Sequence, residues 1–244
     1  DIKKYYSDNQ FQMVGISAVV STSYKLVKKL IKIIKKVSPN TTIVVGGNMA
    51  ASSEVLLRKA GSDICVLGDG EVTISLVASQ VSKNSKDFEA FKLIKGLSFI
   101  DENNEFIFTG YQDKIPAEDI SWPDFSILEE DQSLQYYMQF EPEWYSVRGM
   151  KIPEDWIGKR DAVIVTTKGC VARCTFCHRF EKGYRMRPFE QVIDHIKFLK
   201  EKYNVGFIQI FDENFGSNVQ LTNDIVSELG KLKIKWRAGG VRAR

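Results

Sequence analysis

Cys170, Cys174 and Cys177 lie within the ten-residue stretch Gly169-Cys170-Val171-Ala172-Arg173-Cys174-Thr175-Phe176-Cys177-His178. They are three of the four cysteines in the chain and are spaced C-x3-C-x2-C. Thiolates are soft, strong ligands for iron, and three on one short loop can face a single inorganic cluster. A four-iron cluster held by three cysteines keeps one iron open for chemistry. A structural zinc site with His178 or a remote residue as fourth ligand is the alternative. Against it, zinc sites usually show two paired ligand clusters, and the only other histidine is His195. Adjacent Cys177 and His178 would also share a tetrahedron awkwardly. A disulfide framework fits poorly with such tight spacing and no secretory signal.

An element must deliver this loop. Val163-Ile164-Val165-Thr166-Thr167-Lys168-Gly169 reads as a short β-branched strand running into a glycine turn. Downstream, residues 189–203 form an amphipathic helix with Val192, Ile193, Ile196 and Leu199 inward. His195, beside that face, reads as a packing or surface histidine. Residues 205–211 form a second strand ending in Asp212-Glu213-Asn214-Phe215, then come a helix near 219–232 and a third strand at 233–238. Asp212 could instead cap the helix that follows.

The first part of the chain alternates strand and helix. Residues 1–10 are helix-like, and residues 11–17 read as the first strand. A helix over 26–37 carries Val27, Leu30, Ile31 and Ile34 at helical spacing among lysines, a solvated face. Thr42-Ile43-Val44-Val45 and Ile64-Cys65-Val66-Leu67 are buried-type strands, each followed by glycine and a helix, with Cys65 as a small buried hydrophobe. This rhythm predicts a parallel sheet with crossover helices, whose ligands sit at the carboxyl ends of the strands. Ser17, Gly46, Gly47, Gly68, Gly70 and Glu71 occupy those ends. Glycine there lets backbone approach a flat ligand closely, although tight strand–helix turns also use it. Residues 97–100 and 105–109 flank Asp101-Glu102-Asn103-Asn104, a hairpin pattern. Residues 116–158 form an aromatic-rich connector, with Trp122-Pro123-Asp124, expected to pack down.

The cysteine loop resembles that of the radical S-adenosylmethionine enzymes. V-G-I-S, V-V-G-G-N and V-L-G-D-G-E resemble, in order and spacing, the cobalamin-binding domain that precedes many of them. The resemblance implies an α/β chain: an N-terminal Rossmann-like parallel sheet of cobalamin-binding type over 1–115, missing its first strands. The connector 116–158 would lead to the first half of a partial (β/α) barrel at 159–244, truncated after three of about six strand–helix units. It implies that Cys170, Cys174 and Cys177 hold a 4Fe-4S cluster and that Phe176 and one of Asp212 and Glu213, Asp212 in preference, contact S-adenosylmethionine. Ser17, Gly46, Gly47, Gly68, Gly70 and Glu71 would then surround cobalamin. Arg185, Arg187 and Arg242 become candidate substrate or cofactor contacts, with salt bridges as the alternative for Arg185 and Arg187. The Asp-x-His-x-x-Gly motif of other cobalamin proteins is absent, so no lower axial ligand is named.

The implied activity is reductive cleavage of S-adenosylmethionine to a 5′-deoxyadenosyl radical, with methylation of an unreactive carbon as the leading outcome. Cyclisation, rearrangement or oxidation, with or without cobalamin, is the alternative, and a non-catalytic zinc module is the reading of another class. A small-molecule substrate and an external one-electron reductant of flavodoxin or ferredoxin type follow. Composition agrees: 43% hydrophobic and 27% charged residues are ordinary for a globular protein, and a net charge of +3 gives no nucleic-acid signature. No apolar run is long enough for a membrane span, and clustered cysteines suit a reducing cytoplasmic setting.

Overall fold

Thr42-Ile43-Val44-Val45 carries no charge and is β-branched throughout, so it can be buried on both faces. In the computed structural model it forms the inner strand of a sheet. The structure describes residues 2–8, 11–85, 87–139, 151, 154–175, 177 and 183–242. These fall into two compact units, Asp1–Lys114 and Ile115–Arg244.

In the first unit, helix α1 (Ile2–Asp8) precedes β1 (Met13–Ser17), α2 (Tyr24–Val37) and β2 (Thr42–Gly46). Helix α3 (Ser53–Val55) continues as a π-helical turn over Leu56–Ala60, which ends at left-handed Gly61. Then come β3 (Ile64–Val66), α4 (Glu71–Lys83), α5 (Phe88–Lys92), β4 (Leu97–Ile100) and β5 (Phe106–Phe108). The strand order is β1-β2-β3-β4-β5, parallel through β3 and antiparallel beyond it. The two-residue period of β2 divides the core. Ile43 and Val45 pack with Val27, Ile31 and Ile34 of α2 and with Leu56 and Leu57. Val44 packs on the other face with Val77 and Val81 of α4 and with Phe91 of α5.

In the second unit, α6 (Ser126–Glu130) and α7 (Leu134–Tyr137) lead to β6 (Arg160–Ile164). Next are β7 (Thr167–Gly169), β8 (Tyr184–Met186), α8 (Phe189–Tyr203), β9 (Val205–Ile210), α9 (Val219–Lys231) and β10 (Lys235–Ala238). β6, β9 and β10 form a parallel sheet in the order β10-β9-β6. Ala162, Ile164, Ile208 and Ile210 face Val192, Ile196 and Leu199 of α8 and Ile225 and Leu229 of α9. Trp122, Phe125 and Leu134 of the connecting segment pack against the same core.

Two local expectations change. The strand expected over 163–169 is broken at residues 165–166, and β7 leaves the parallel sheet to pair antiparallel with β8. The break lets the chain turn out of the sheet before the cysteines. The cap of α9 is Asn218, whose side chain accepts from Leu221 N at 2.9 Å, and not Asp212. No helix among the described residues is long and apolar enough to cross a membrane.

Candidate functional site

The cysteine loop leaves and re-enters the structure through the β7–β8 ribbon, where Gly169 pairs with Tyr184. Gly169 has φ +79°, and a Cβ there would lie 2.2 Å from the Gly183 carbonyl oxygen. Only glycine closes the base of the loop this tightly. Beyond it, the Cys170 Sγ accepts from Ala172 N at 3.4 Å, and Cys177 N donates to the Cys174 carbonyl at 3.1 Å. None of the three forms a disulfide; Cys170 and Cys174 are half-buried and Cys177 is exposed. Three cysteines on one pinned loop suit a soft metal cluster. Phe176 lies outside the described residues, as do His178 and Lys182.

The carboxyl ends of the three parallel strands are tied to one another. Asp212, 4% exposed, accepts hydrogen bonds from Thr166 N at 2.6 Å, the Thr166 hydroxyl, and Thr167 N at 3.2 Å. It thereby anchors the turn between β6 and β7 that launches the cysteine loop. Glu213 is exposed at the same strand end. The end of β10 closes against it: a Cβ on Gly240 would meet the Asp212 and Glu213 carbonyl oxygens at 2.7 and 2.8 Å. Arg242 donates its backbone N–H to Asn214 Oδ1 at 3.2 Å, and the residue is exposed.

Arg185 and Arg187 both reach main-chain carbonyls of the segment that precedes the strands. Arg185 Nη1 donates to the Ile115 carbonyl at 2.8 Å. Arg187 is buried and donates to the carbonyls of Val165 at 3.2 Å, Ser121 at 3.2 Å, and Ile120. These acceptors are main-chain carbonyls. The Arg187 guanidinium also sits 3.8 Å from the Trp122 ring centroid. Trp122 stacks on His195 with centroids 3.9 Å apart and planes 5° from parallel. Burial, helped by the Arg187 charge, pushes the His195 pKa down to about 4. His195 is therefore a packing residue kept neutral.

One polar row escaped the sequence reading. Across the sheet face opposite the helices, Arg237 Nε donates to Gln209 Oε1 at 3.0 Å, and Gln209 Nε2 donates to Asp161 Oδ2. Asp161 also accepts from Gln139 N at 3.0 Å, and burial raises its pKa. Its residues are distant in sequence, with only their alternation against Ala162, Ile208 and Ala238 as a signal.

In the first unit, Ser17 and Gly46 are register partners at the ends of β1 and β2. Ala18 N donates to the Gly46 carbonyl at 2.8 Å, and Met49 N to the Ala18 carbonyl at 2.9 Å. Gly47 has φ +86°, and its Cβ would lie 2.7 Å from Ala18 O, so the neighbouring backbone alone requires glycine here. A Cβ on Gly46, in contrast, would meet nothing within 4 Å. Gly68 (φ +81°) follows β3, and Gly70 with Glu71 opens α4. Ser17, Gly47, Gly68 and Glu71 are exposed on this edge, with Gly46 and Gly70 half-buried. The open, glycine-rich edge suits a large flat ligand. Cys65 lies buried in β3 away from solvent, and burial pushes its pKa up to about 11.

Comparison with known proteins adds one family match, two relatives and two solved structures. Residues 1–78 match the B12 binding domain family. Cytidylyl-2-hydroxyethylphosphonate methyltransferase of Streptomyces wedmorensis is 23% identical over 97% of this chain and 46% of its own length. The anaerobic magnesium-protoporphyrin IX monomethyl ester cyclase of Cereibacter sphaeroides is 27% identical over 93% of this chain and 35% of its own. The chain thus spans less than half the length of these relatives. The apo structure of the cobalamin-dependent S-adenosylmethionine radical enzyme OxsB superposes with TM-score 0.69, at 23% identity, over 97% of this chain and 31% of that one. The radical S-adenosylmethionine methyltransferase TsrM from Kitasatospora setae gives 0.64, at 17% identity, over 95% and 42%. The α/β fold is shared with both.

Proposed function

We propose that this chain, whose residues 1–78 match the B12 binding domain family and whose cysteine loop resembles that of the radical S-adenosylmethionine enzymes, carries the cofactor-holding part of a radical enzyme that methylates an unreactive carbon. The carrying observation is the C-x3-C-x2-C loop, pinned at its base by the β7–β8 ribbon that follows the carboxyl end of β6, with Cys170 and Cys174 half-buried and Cys177 exposed. Cys170, Cys174 and Cys177 would hold a 4Fe-4S cluster, and the glycine edge with Ser17 and Glu71 would hold cobalamin. When bound, the cluster supplies the electron for reductive cleavage of S-adenosylmethionine, and cobalamin supplies the methyl group.

The chain's own residues orient and shield. Gly169 and the β7–β8 ribbon hold the loop ends together. Asp212 fixes Thr166 and Thr167, so the carboxylate left to accept from the S-adenosylmethionine ammonium is Glu213, the exposed one. Phe176 and Arg242 remain candidates for cofactor or substrate contact. Arg187 fastens the preceding segment over the strand end, which keeps solvent from the loop's base. A small-molecule substrate, a flavodoxin- or ferredoxin-type reductant and a reducing cytoplasmic setting belong to this proposal, as does a domain order of 1–115, 116–158 and 159–244.

The test is elemental analysis of the anaerobically purified full-length protein, joined to assay of 5′-deoxyadenosine. About four irons and one cobalt per chain are expected, with product lost in Cys174→Ala. One zinc and no iron would overturn the proposal. Ring closure without methyl transfer is a second reading, favoured by the match to the anaerobic cyclase over 93% of this chain. Labelled methyl from S-adenosylmethionine appearing in product would exclude it.

A further inference from the structure

We infer that Tyr111 is an additional cofactor-contacting residue, its ring forming a side wall for the conjugated macrocycle at the end of β3. The inference rests on the cobalamin reading of the first unit. Topology brings Tyr111 there. β4 runs antiparallel to β3 with Leu97 opposite Val66, and β5 runs antiparallel to β4 with Phe108 opposite Ser98. The chain leaving β5 therefore emerges at the carboxyl end of β3, on the same edge as the Gly46-Gly47 and Gly68-Asp69-Gly70 turns.

Short bonds then fix the exit. Gly96 N donates to the Gly110 carbonyl at 2.7 Å, and Leu67 N donates to the Gly96 carbonyl at 2.8 Å. Gly96 (φ +86°) and Gly110 (φ +80°) both take left-handed conformations to make this crossing. As a result, a Cβ on Gly68 would lie 3.6 Å from Tyr111 Cδ1, so the ring stands directly beside the bare Gly68 backbone. Phe108 meets the Tyr111 ring edge-on, with centroids 5.2 Å apart and planes at 77°, which holds its orientation. Yet Tyr111 remains 60% exposed.

Scattered exposed aromatics are ordinary, but this one is oriented by a neighbour and placed on the edge where ligands of parallel sheets bind. A rigid aromatic face there meets a flat conjugated ligand with little loss of side-chain entropy. No side chain stands between it and the glycine turn.

The experiment titrates the full-length protein with hydroxocobalamin and with cobinamide, which lacks the nucleotide tail, following the visible absorption bands. Tyr111→Ala should bind both roughly tenfold more weakly, equivalent to about 1.4 kcal/mol, while Tyr111→Phe stays within about twofold. Thermal unfolding of each variant checks the fold, and the exposed position makes Tyr111→Phe a control that keeps the ring. Unchanged affinity in Tyr111→Ala beside a wild type that binds would overturn the inference alone. Weakening with cobalamin but not cobinamide would overturn the macrocycle contact in favour of the tail. A wild type that binds neither would overturn the cobalamin reading itself.

Discussion

Replacing Asp212 by alanine removes the acceptor for two backbone amides and a hydroxyl that sit 1% and 6% exposed at Thr166 and Thr167. Each buried amide left without an acceptor costs about 1–3 kcal/mol. Two together cost about 4 kcal/mol, roughly a thousandfold in the local opening equilibrium. Asp212→Asn is milder. Its remaining carbonyl can serve both amides, while the Thr166 hydroxyl turns to accept from the new amide. A loss of about 1–1.5 kcal/mol, near tenfold, is expected there. Hydrogen exchange read by mass spectrometry on the peptide spanning 163–170, in the intact protein without cluster, measures this opening directly. The loop it launches carries the cysteines, so reconstituted iron should fall in the same order, alanine below asparagine below wild type. Exchange of that peptide within about threefold of wild type in Asp212→Ala, together with full iron uptake, would refute the anchoring role.

Three further outcomes follow from named contacts. Gly169→Ala should abolish cluster uptake and leave the first unit intact, because its Cβ would collide with Gly183 O at 2.2 Å; iron and cobalamin titrations on one preparation separate the two. His195 is held neutral with its pKa lowered from 6.5 to about 4, so the unfolded chain binds the extra proton between those values. Stability from this group is complete above pH 6.5 and is lost as pH falls toward 4. His195→Phe should flatten that part of an acid-unfolding curve. Cys65 is fully buried with its pKa pushed up to about 11, so iodoacetamide at mild pH should label the cysteine loop and spare Cys65, as peptide mapping would reveal.

Local chemistry was legible wherever it was written in consecutive residues. The C-x3-C-x2-C spacing, the uncharged β-branched run at 42–45 and the 3.6-residue pattern of α8 each specify an element without help from the rest of the chain. Glycines after strands likewise marked the turns at the carboxyl ends of β2 and β3. Tertiary contacts decided what could not be read that way. Arg187 has the same pattern signature whether it meets a substrate or three main-chain carbonyls. Asp212 and Glu213 are adjacent acids, and only the approach of Thr166 separates a buried anchor from an exposed side chain. The split of the 163–169 strand depends on β8 being available to pair with β7.

From sequence alone, the residue types and their short-range periods determined that this is an α/β chain with a three-thiol loop after a strand. Those signals arise from backbone geometry and burial, which act over a few residues. Which acid is buried, which arginine is buried and which tyrosine stands beside Gly68 depend on partners 22 to 70 residues away, as between Arg187 and Val165 or Arg185 and Ile115. No local period encodes such pairings, because each is fixed only when separate strands and turns pack into one sheet edge.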